Sequence, residues 1–308
     1  MKSNTYKNQN APVFIIGTGR CGLTPLMDLI AYHKDLAWPS QYMNRSLTAK
    51  KYYLAYLSRI ASYKIFNSSY KHSSYFFPKH SEATILYNSC YNGFSSPFRD
   101  LTKDDVTPDV SYKFQRMVSE IVKYQGKKRF IAEYSGWSRI DFIKEIFPDA
   151  RFIHIVRDGR AVANSLTNVD YWRGWGGTSK WLWGKPPKDC EDYLKQYDYS
   201  FLALAAVQWK ITLNNIRAQI KCQNDSEILE VRYEDMVKNP QNIANKCIDF
   251  MGIDRDCDIY KNNLKVAKIY DANNSQFRIV PWKNNVTKKQ LVMLDTILEN
   301  ELEHYGYQ

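Results

Sequence analysis

Apolar residues along this chain fall into two patterns. Some form short unbroken runs, and others recur every three or four residues through longer polar stretches. The first run, Pro12-Val-Phe-Ile-Ile16, is too short for a helix and is bounded by glycine, so it predicts a buried parallel strand. Residues 17–22 then form a tight glycine loop, and 24–33 show helical spacing through Leu26, Leu29 and Ile30. The same pattern returns later, with an apolar strand over 151–156, a turn over 157–160 and a helix from 161 to 166. Further strands are expected at 130–133 and 228–232. Helices are expected at 139–146, 199–221, 240–251 and 287–305, the last with Thr287 as N-cap.

The pattern weakens between 36 and about 100. Spacing predicts helices over 46–62, 82–92 and 113–124, with a Ser-, Tyr-, Phe- and His-rich loop over 64–82. Residues 168–190 carry Trp172, Trp175, Trp181 and Trp183 among glycines and prolines and read as a long aromatic loop. Residues 1–10 read as a flexible lead-in and 11–308 as one domain. Alternating strands and helices predict the α/β class, a three-layer fold with a central parallel sheet flanked by helices. The strand–glycine loop–helix opening makes that fold P-loop-like.

Composition adds a core and a charge. Of 308 residues, 44% are hydrophobic and 15% aromatic, enough for a sizeable interior. The aromatic excess has two readings: a groove that stacks bases or sugars, or a compositional bias toward Lys, Asn, Ile and Tyr. The net charge of +11 favours an anionic ligand. Its cations are scattered rather than run together, which argues against a nucleic-acid tail. Six cysteines without a CxxC pair suggest neither a zinc site nor a disulfide framework. No run approaches the roughly 20 apolar residues of a membrane span, and the first ten residues lack a signal-peptide core. A cytoplasmic protein is expected, and homo-oligomerisation stays open.

The candidate chemistry concerns anions. A glycine loop opening a helix offers unpaired N–H groups and the positive end of the helix dipole. Gly17, Gly19 and Gly22 allow close approach, Arg20 adds a guanidinium, and Thr24 a hydroxyl. Gly17 and Gly22 have Walker A spacing, but Leu23 replaces the lysine, which disfavours a P-loop kinase. The second strand delivers Arg157 to its carboxyl end, where open α/β sheets bind ligands, and Ser165 follows eight residues later. An internal Arg157–Asp158 salt bridge is the competing reading of that turn.

Taken together, Arg20-Cys-Gly-Leu-Thr24, Arg157-Asp-Gly-Arg-Ala-Val162 with Ser165, Val231-Arg-Tyr-Glu-Asp235 and Phe277-Arg-Ile-Val-Pro-Trp-Lys283 resemble the sulfotransferases that use 3′-phosphoadenosine 5′-phosphosulfate (PAPS). The similarity is to the bacterial branch related to tyrosylprotein and carbohydrate sulfotransferases. It implies that Gly19, Arg20, Cys21, Gly22, Leu23 and Thr24 hold the 5′-phosphosulfate. Arg157 and Ser165 would hold the 3′-phosphate, with Tyr233 near the nucleotide. Arg278, Trp282 and Lys283 would belong to a segment closing over it. Cys21, Leu23 and Pro25 depart from the family pattern, with two side-chain hydroxyls lost from the phosphate cradle.

The implied reaction moves a sulfuryl group from PAPS to a hydroxyl of a carbohydrate, glycolipid or small metabolite, leaving PAP (the desulfated product) and requiring no metal. Arg20 would stabilise the leaving phosphate. Glu82 is the first candidate for general base, with His80, His33 and Glu133 as alternatives. The partner would be a small-molecule or glycan acceptor rather than nucleic acid. A protein of the same fold that binds PAP without transfer is the alternative.

Overall fold

The structure is a computed structural model that describes residues 11–45, 78–95, 97–255 and 282–307. Strand β1 (Val13–Gly17) passes through the glycine loop into helix α1 (Leu23–Ile30). Strand β2 (Leu36–Ala37) and helices α2 (Gln41–Arg45) and α3 (Thr84–Asn88) follow. Helix α4 (Pro108–Gln125) leads to β3 (Arg129–Ser135), α5 (Ile140–Ile146), β4 (Arg151–Val156) and α6 (Gly159–Leu166). The remainder comprises α7 (Lys188–Gln196), α8 (Phe201–Ile220), β5 (Ile228–Arg232), α9 (Tyr233–Lys238), α10 (Pro240–Met251) and α11 (Lys288–Tyr305).

The five strands form one parallel sheet in the order β2-β3-β1-β4-β5. This is the P-loop-like α/β arrangement with helices on both faces. Strand β1 lies between β3 and β4, which follow it in sequence on opposite sides, so a crevice opens at its carboxyl end. Register brings Gly17 of β1 level with Ser135 of β3.

Alternation along the strands divides the interior into two cores. Val13 and Ile15 face one, with Ile131, Ile153 and Ile155. Phe14 and Ile16 face the other, with Phe130, Ala132 and Phe152. All five residues of β1 are buried, and each large one contributes roughly 1.5–3 kcal/mol. Helix α8 is buried along most of its length, with Trp209 packed so closely on α6 that a Cβ at Gly159 would stand 2.6 Å from the indole.

Several elements depart from the sequence-based expectation. The helix expected over 46–62 and most of the 64–82 loop lie outside the described residues. The helix expected at 82–92 is only α3, because Ala83 holds a left-handed φ of 45° just before it. Helix α4 begins five residues earlier than the apolar spacing indicated. Its start is set by Thr107, whose side chain accepts from Val110 N, and by Pro108 in the first turn. The aromatic loop ends sooner than expected, with a single turn at Arg173–Gly176 and α7 starting at Lys188. Thr287 caps α11 as expected, with Gln290 completing the capping box.

Candidate active site

The carboxyl ends of β1, β3 and β4 open into a cavity of about 1000 Å³. Its floor is the glycine loop, which turns through left-handed conformations at Gly19 (φ 79°), Arg20 (φ 53°) and Gly22 (φ 106°). A Cβ at Gly22 would lie 2.4 Å from the Tyr233 ring, so only glycine lets the two meet.

This twist sends neighbouring side chains in opposite directions. Arg20 points into the cavity, while Cys21 is fully buried in the core. Burial pushes the Cys21 thiol up to about 11, beyond what the amide of Gly19 and the Arg157 charge offset. Position 21 therefore offers the cradle its backbone and no side chain, in keeping with the hydroxyl lost there. Leu23 is buried but still borders the cavity, and Thr24 is exposed beside it. Pro25 sits in the first helical turn, where its missing N–H removes a donor that has no intrahelical partner.

The two expected arginines converge here. Arg20 Nε donates to Ser165 Oγ at 2.9 Å, and its Nη1 donates to the Tyr171 hydroxyl at 3.1 Å. Arg157 Nη1 donates to the Arg20 carbonyl at 3.0 Å, and its guanidinium lies 4.4 Å from the Tyr233 ring centre. Arg157 Nε is buried with no hydrogen-bond partner among the described residues. Neither guanidinium pairs with a carboxylate among the described residues. Asp158 bonds Arg160 instead, in a pair completed by Asp295, so the competing Arg157–Asp158 salt bridge does not form. Two unpaired cations beside an orphaned N–H suit a multiply charged anion. Trp282 borders the cavity, Lys283 is exposed beside it, and Arg278 lies outside the described residues.

Glu82 reaches the cavity from the β3 side. Ser135, at the end of β3, donates to its Oε2 at 3.0 Å. Burial and the negative Glu133 raise its carboxyl to about 7, against the Ser135 bond and the Arg139 charge. A carboxyl so placed loses its proton near neutral pH, as a general base requires.

The alternative bases are placed elsewhere. His80 does not border the cavity; its ring is buried with a carboxylate at each nitrogen. Burial alone would lower its affinity for a proton, but Glu133 and Asp28 together raise it to about 10, so it is cationic and no base. His33 is buried past the far end of α1, with Nε2 2.7 Å from the Asp254 carbonyl. Glu133 faces His80.

Several cavity residues had no individual role in the sequence reading, although Tyr171 and Trp183 belong to the aromatic loop noted there. Tyr171 meets Arg20, Ser135 holds Glu82, and Arg139 braces the β3–α5 turn. Trp137 and Trp183 form a wall, with ring centres 6.0 Å apart and planes tilted by 49°.

A sulfotransferase family model matches residues 12–257. The structure is similar to that of a sulfotransferase from Mycobacterium avium, with a TM-score of 0.58, 13% identity and coverage of 98% of this chain and 78% of that one. It is also similar to a sulfotransferase from Mycobacterium tuberculosis H37Rv, with a TM-score of 0.50, 12% identity and coverage of 95% and 76%. A search of curated proteins finds no match. Among the described residues no helix is long and apolar enough to cross a membrane.

Proposed function

The chain belongs to the sulfotransferase family, and from that premise we propose that it transfers the sulfuryl group of PAPS to a hydroxyl of a sugar-bearing or small-molecule acceptor. The observation that carries this reading is the convergence of Arg20 and Arg157, unpaired with any carboxylate among the described residues, in the cavity that also receives Glu82. When bound, PAPS supplies a sulfuryl group on a phosphate leaving group. The glycine loop and the start of α1 suit its 5′ end, and Arg157 with Ser165 suits its 3′-phosphate.

Within that arrangement Arg20 offsets the charge that builds on the leaving phosphate. Glu82 accepts the proton that the hydroxyl releases as the new oxygen–sulfur bond forms and the bond to the phosphate breaks. Trp137 and Trp183 favour an acceptor that presents a flat, weakly polar face, as a sugar ring does.

Calorimetric titration with PAP and with ATP-Mg tests the donor assignment. PAP should bind in the micromolar range or tighter without magnesium, and ATP-Mg far more weakly. No binding of PAP overturns the proposal. Transfer of radiolabelled sulfate from PAPS to a panel of hydroxyl acceptors tests the reaction, and Glu82→Gln should abolish most of it while leaving PAP affinity intact. Binding of PAP without transfer to any acceptor would instead favour a binding protein.

A further inference from the structure

Two residues before Glu82, His80 is sealed between two carboxylates. Its Nδ1 stands 2.8 Å from Glu133 Oε1 and its Nε2 2.9 Å from Asp28 Oδ1. A ring that faces a carboxylate at each nitrogen donates from both and carries a positive charge. The His80 and Glu133 side chains are 3% and 2% exposed, and Asp28 is 17% exposed, so the group is an interior feature and not a surface ion pair.

The contacts are in step along β3. His80 meets Glu133, and Glu82 meets Ser135, so two positions of the 80–82 segment meet two same-face positions of the strand. Asp28 adds a third anchor from α1, the helix that opens at the phosphate loop. The segment presenting Glu82 is therefore tied both to the strand that ends at the cavity and to the helix that starts there. Ala83, held at a φ of 45°, directs the chain away immediately afterwards, a strained conformation that the neighbouring contacts must hold.

The charges of the group do not cancel. Asp28 and Glu133 bring two negative charges and His80 one positive charge. Glu133 Oε2 is buried with no hydrogen-bond partner among the described residues. Of the three, the Glu133 carboxylate acts on Glu82 and disfavours its ionised form. The other groups facing Glu82 are the Ser135 hydroxyl and the Arg139 guanidinium, which act the opposite way. The Cys21 thiol also lies nearby and is neutral. Tyr32 and Trp38 wall off His80 with uncharged rings, edge-on at 6.2 and 6.4 Å.

We propose that Asp28, His80 and Glu133 act as a positioning group that fixes the segment presenting Glu82 and tunes the basicity of its carboxylate. The inference rests on the reading of Glu82 as the base. It gives His80 a role through Glu82 in place of direct contact with the acceptor.

The test combines carbon-13 NMR titration of labelled glutamate carboxyls with turnover. Glu82→Gln identifies the Glu82 signal by its disappearance. In Glu133→Gln, which removes the facing charge, the Glu82 midpoint should move down by about one pH unit or more, and the acid limb of kcat should move with it. Affinity for PAP should stay within about twofold, the sign that the cavity is intact. His80→Gln should lower kcat at least about tenfold at unchanged PAP affinity, because the segment loses its anchors.

His80→Gln leaves two carboxylates unpaired in the interior and risks unfolding. Asp28→Asn, at the partly exposed end, is the milder probe, and about a threefold or greater loss of kcat with normal PAP affinity is expected there. An unmoved Glu82 midpoint in folded Glu133→Gln overturns the proposal, as does normal kcat in Asp28→Asn. Full turnover in Glu82→Gln removes the base assignment itself. An inactive Glu82→Gln beside an unmoved Glu133→Gln profile removes only the positioning group.

Discussion

Arg157→Ala separates ligand binding from folding at one position. In the structure this guanidinium makes one hydrogen bond, to the Arg20 carbonyl at 3.0 Å, and lies over Tyr233. Its Nε has no partner among the described residues. Against a phosphate the same fork makes two charged hydrogen bonds, worth roughly 1.5–3 kcal/mol each. Water around the exposed part of the phosphate recovers some of this, so a net loss of about 3 kcal/mol is expected. At about 1.4 kcal/mol per tenfold, the PAP dissociation constant should rise about 100-fold. Arg157→Lys keeps the charge and loses the fork, so a rise of about tenfold is expected.

The unliganded protein should hardly notice the change. Truncation removes one bond and one ring contact, worth about 1 kcal/mol each at most, and also removes a buried orphan N–H beside a second arginine. A Tm shift within about 4 °C follows for a chain of this length. Titration calorimetry with PAP, at low and moderate salt, together with thermal melts, measures both quantities. Affinity within threefold of the parent would refute the assignment of the second anion site. A fall in Tm beyond about 8 °C would show that Arg157 is there to hold the fold.

Gly22→Ala should lower both stability and PAP affinity, since it demands a φ of 106° from alanine and sets a methyl group 2.4 Å from Tyr233. A loss of about 2 kcal/mol and at least about tenfold in affinity is expected by melts and calorimetry, and parental behaviour would show that the loop relaxes freely. Glu82→Gln should be more stable than the parent at pH 8 but not near pH 4.5. The folded carboxyl titrates at about 7 against an ordinary value of 4.5, so the stability linked to its protonated form fades as pH rises through that window. The gap at pH 8 should be on the order of 3 kcal/mol, and denaturant melts showing the same gap at both pH values would refute it.

The parts of the fold that were legible in the sequence are those with one dominant cause. Strand β1 is an unbroken apolar run, and β4 after Arg151 is interrupted only by His154, because helices cover both faces; the glycines mark where β1 ends. Strand β2 has two residues and no period to detect. The pairing of Arg20 with Ser165 follows from legible parts, since two adjacent parallel strands each deliver a loop and a helix to the same edge. Spacing places Cys21 in the loop without saying which way its side chain turns. The left-handed Arg20 decides that, sending the thiol to the core. The Asp28–His80–Glu133 group joins a helix, an irregular segment and a strand far apart in sequence, so no local pattern announces it.

Those details also shift the work of anion binding within the site. Pro25 removes one N–H from the start of α1, and Cys21 gives no side chain to the cradle. On the proposed reading, more of the burden falls on the Arg20 and Arg157 guanidiniums, and such charge contacts weaken as salt rises. A base in the same cavity is then exposed to capture, because a carboxylate that pairs with a guanidinium loses its basicity. Arg139 borders this cavity with Glu82, yet it forms no salt bridge with it. Its N–H groups are taken by the carbonyls of Phe94, Ser95, Ser135 and Trp137. Glu82 is held instead by a neutral hydroxyl and faces a negative neighbour. On the proposed reading, the cations at the ends of β1 and β4 are thus left for the phosphates, and the carboxylate on the β3 side is left to take a proton.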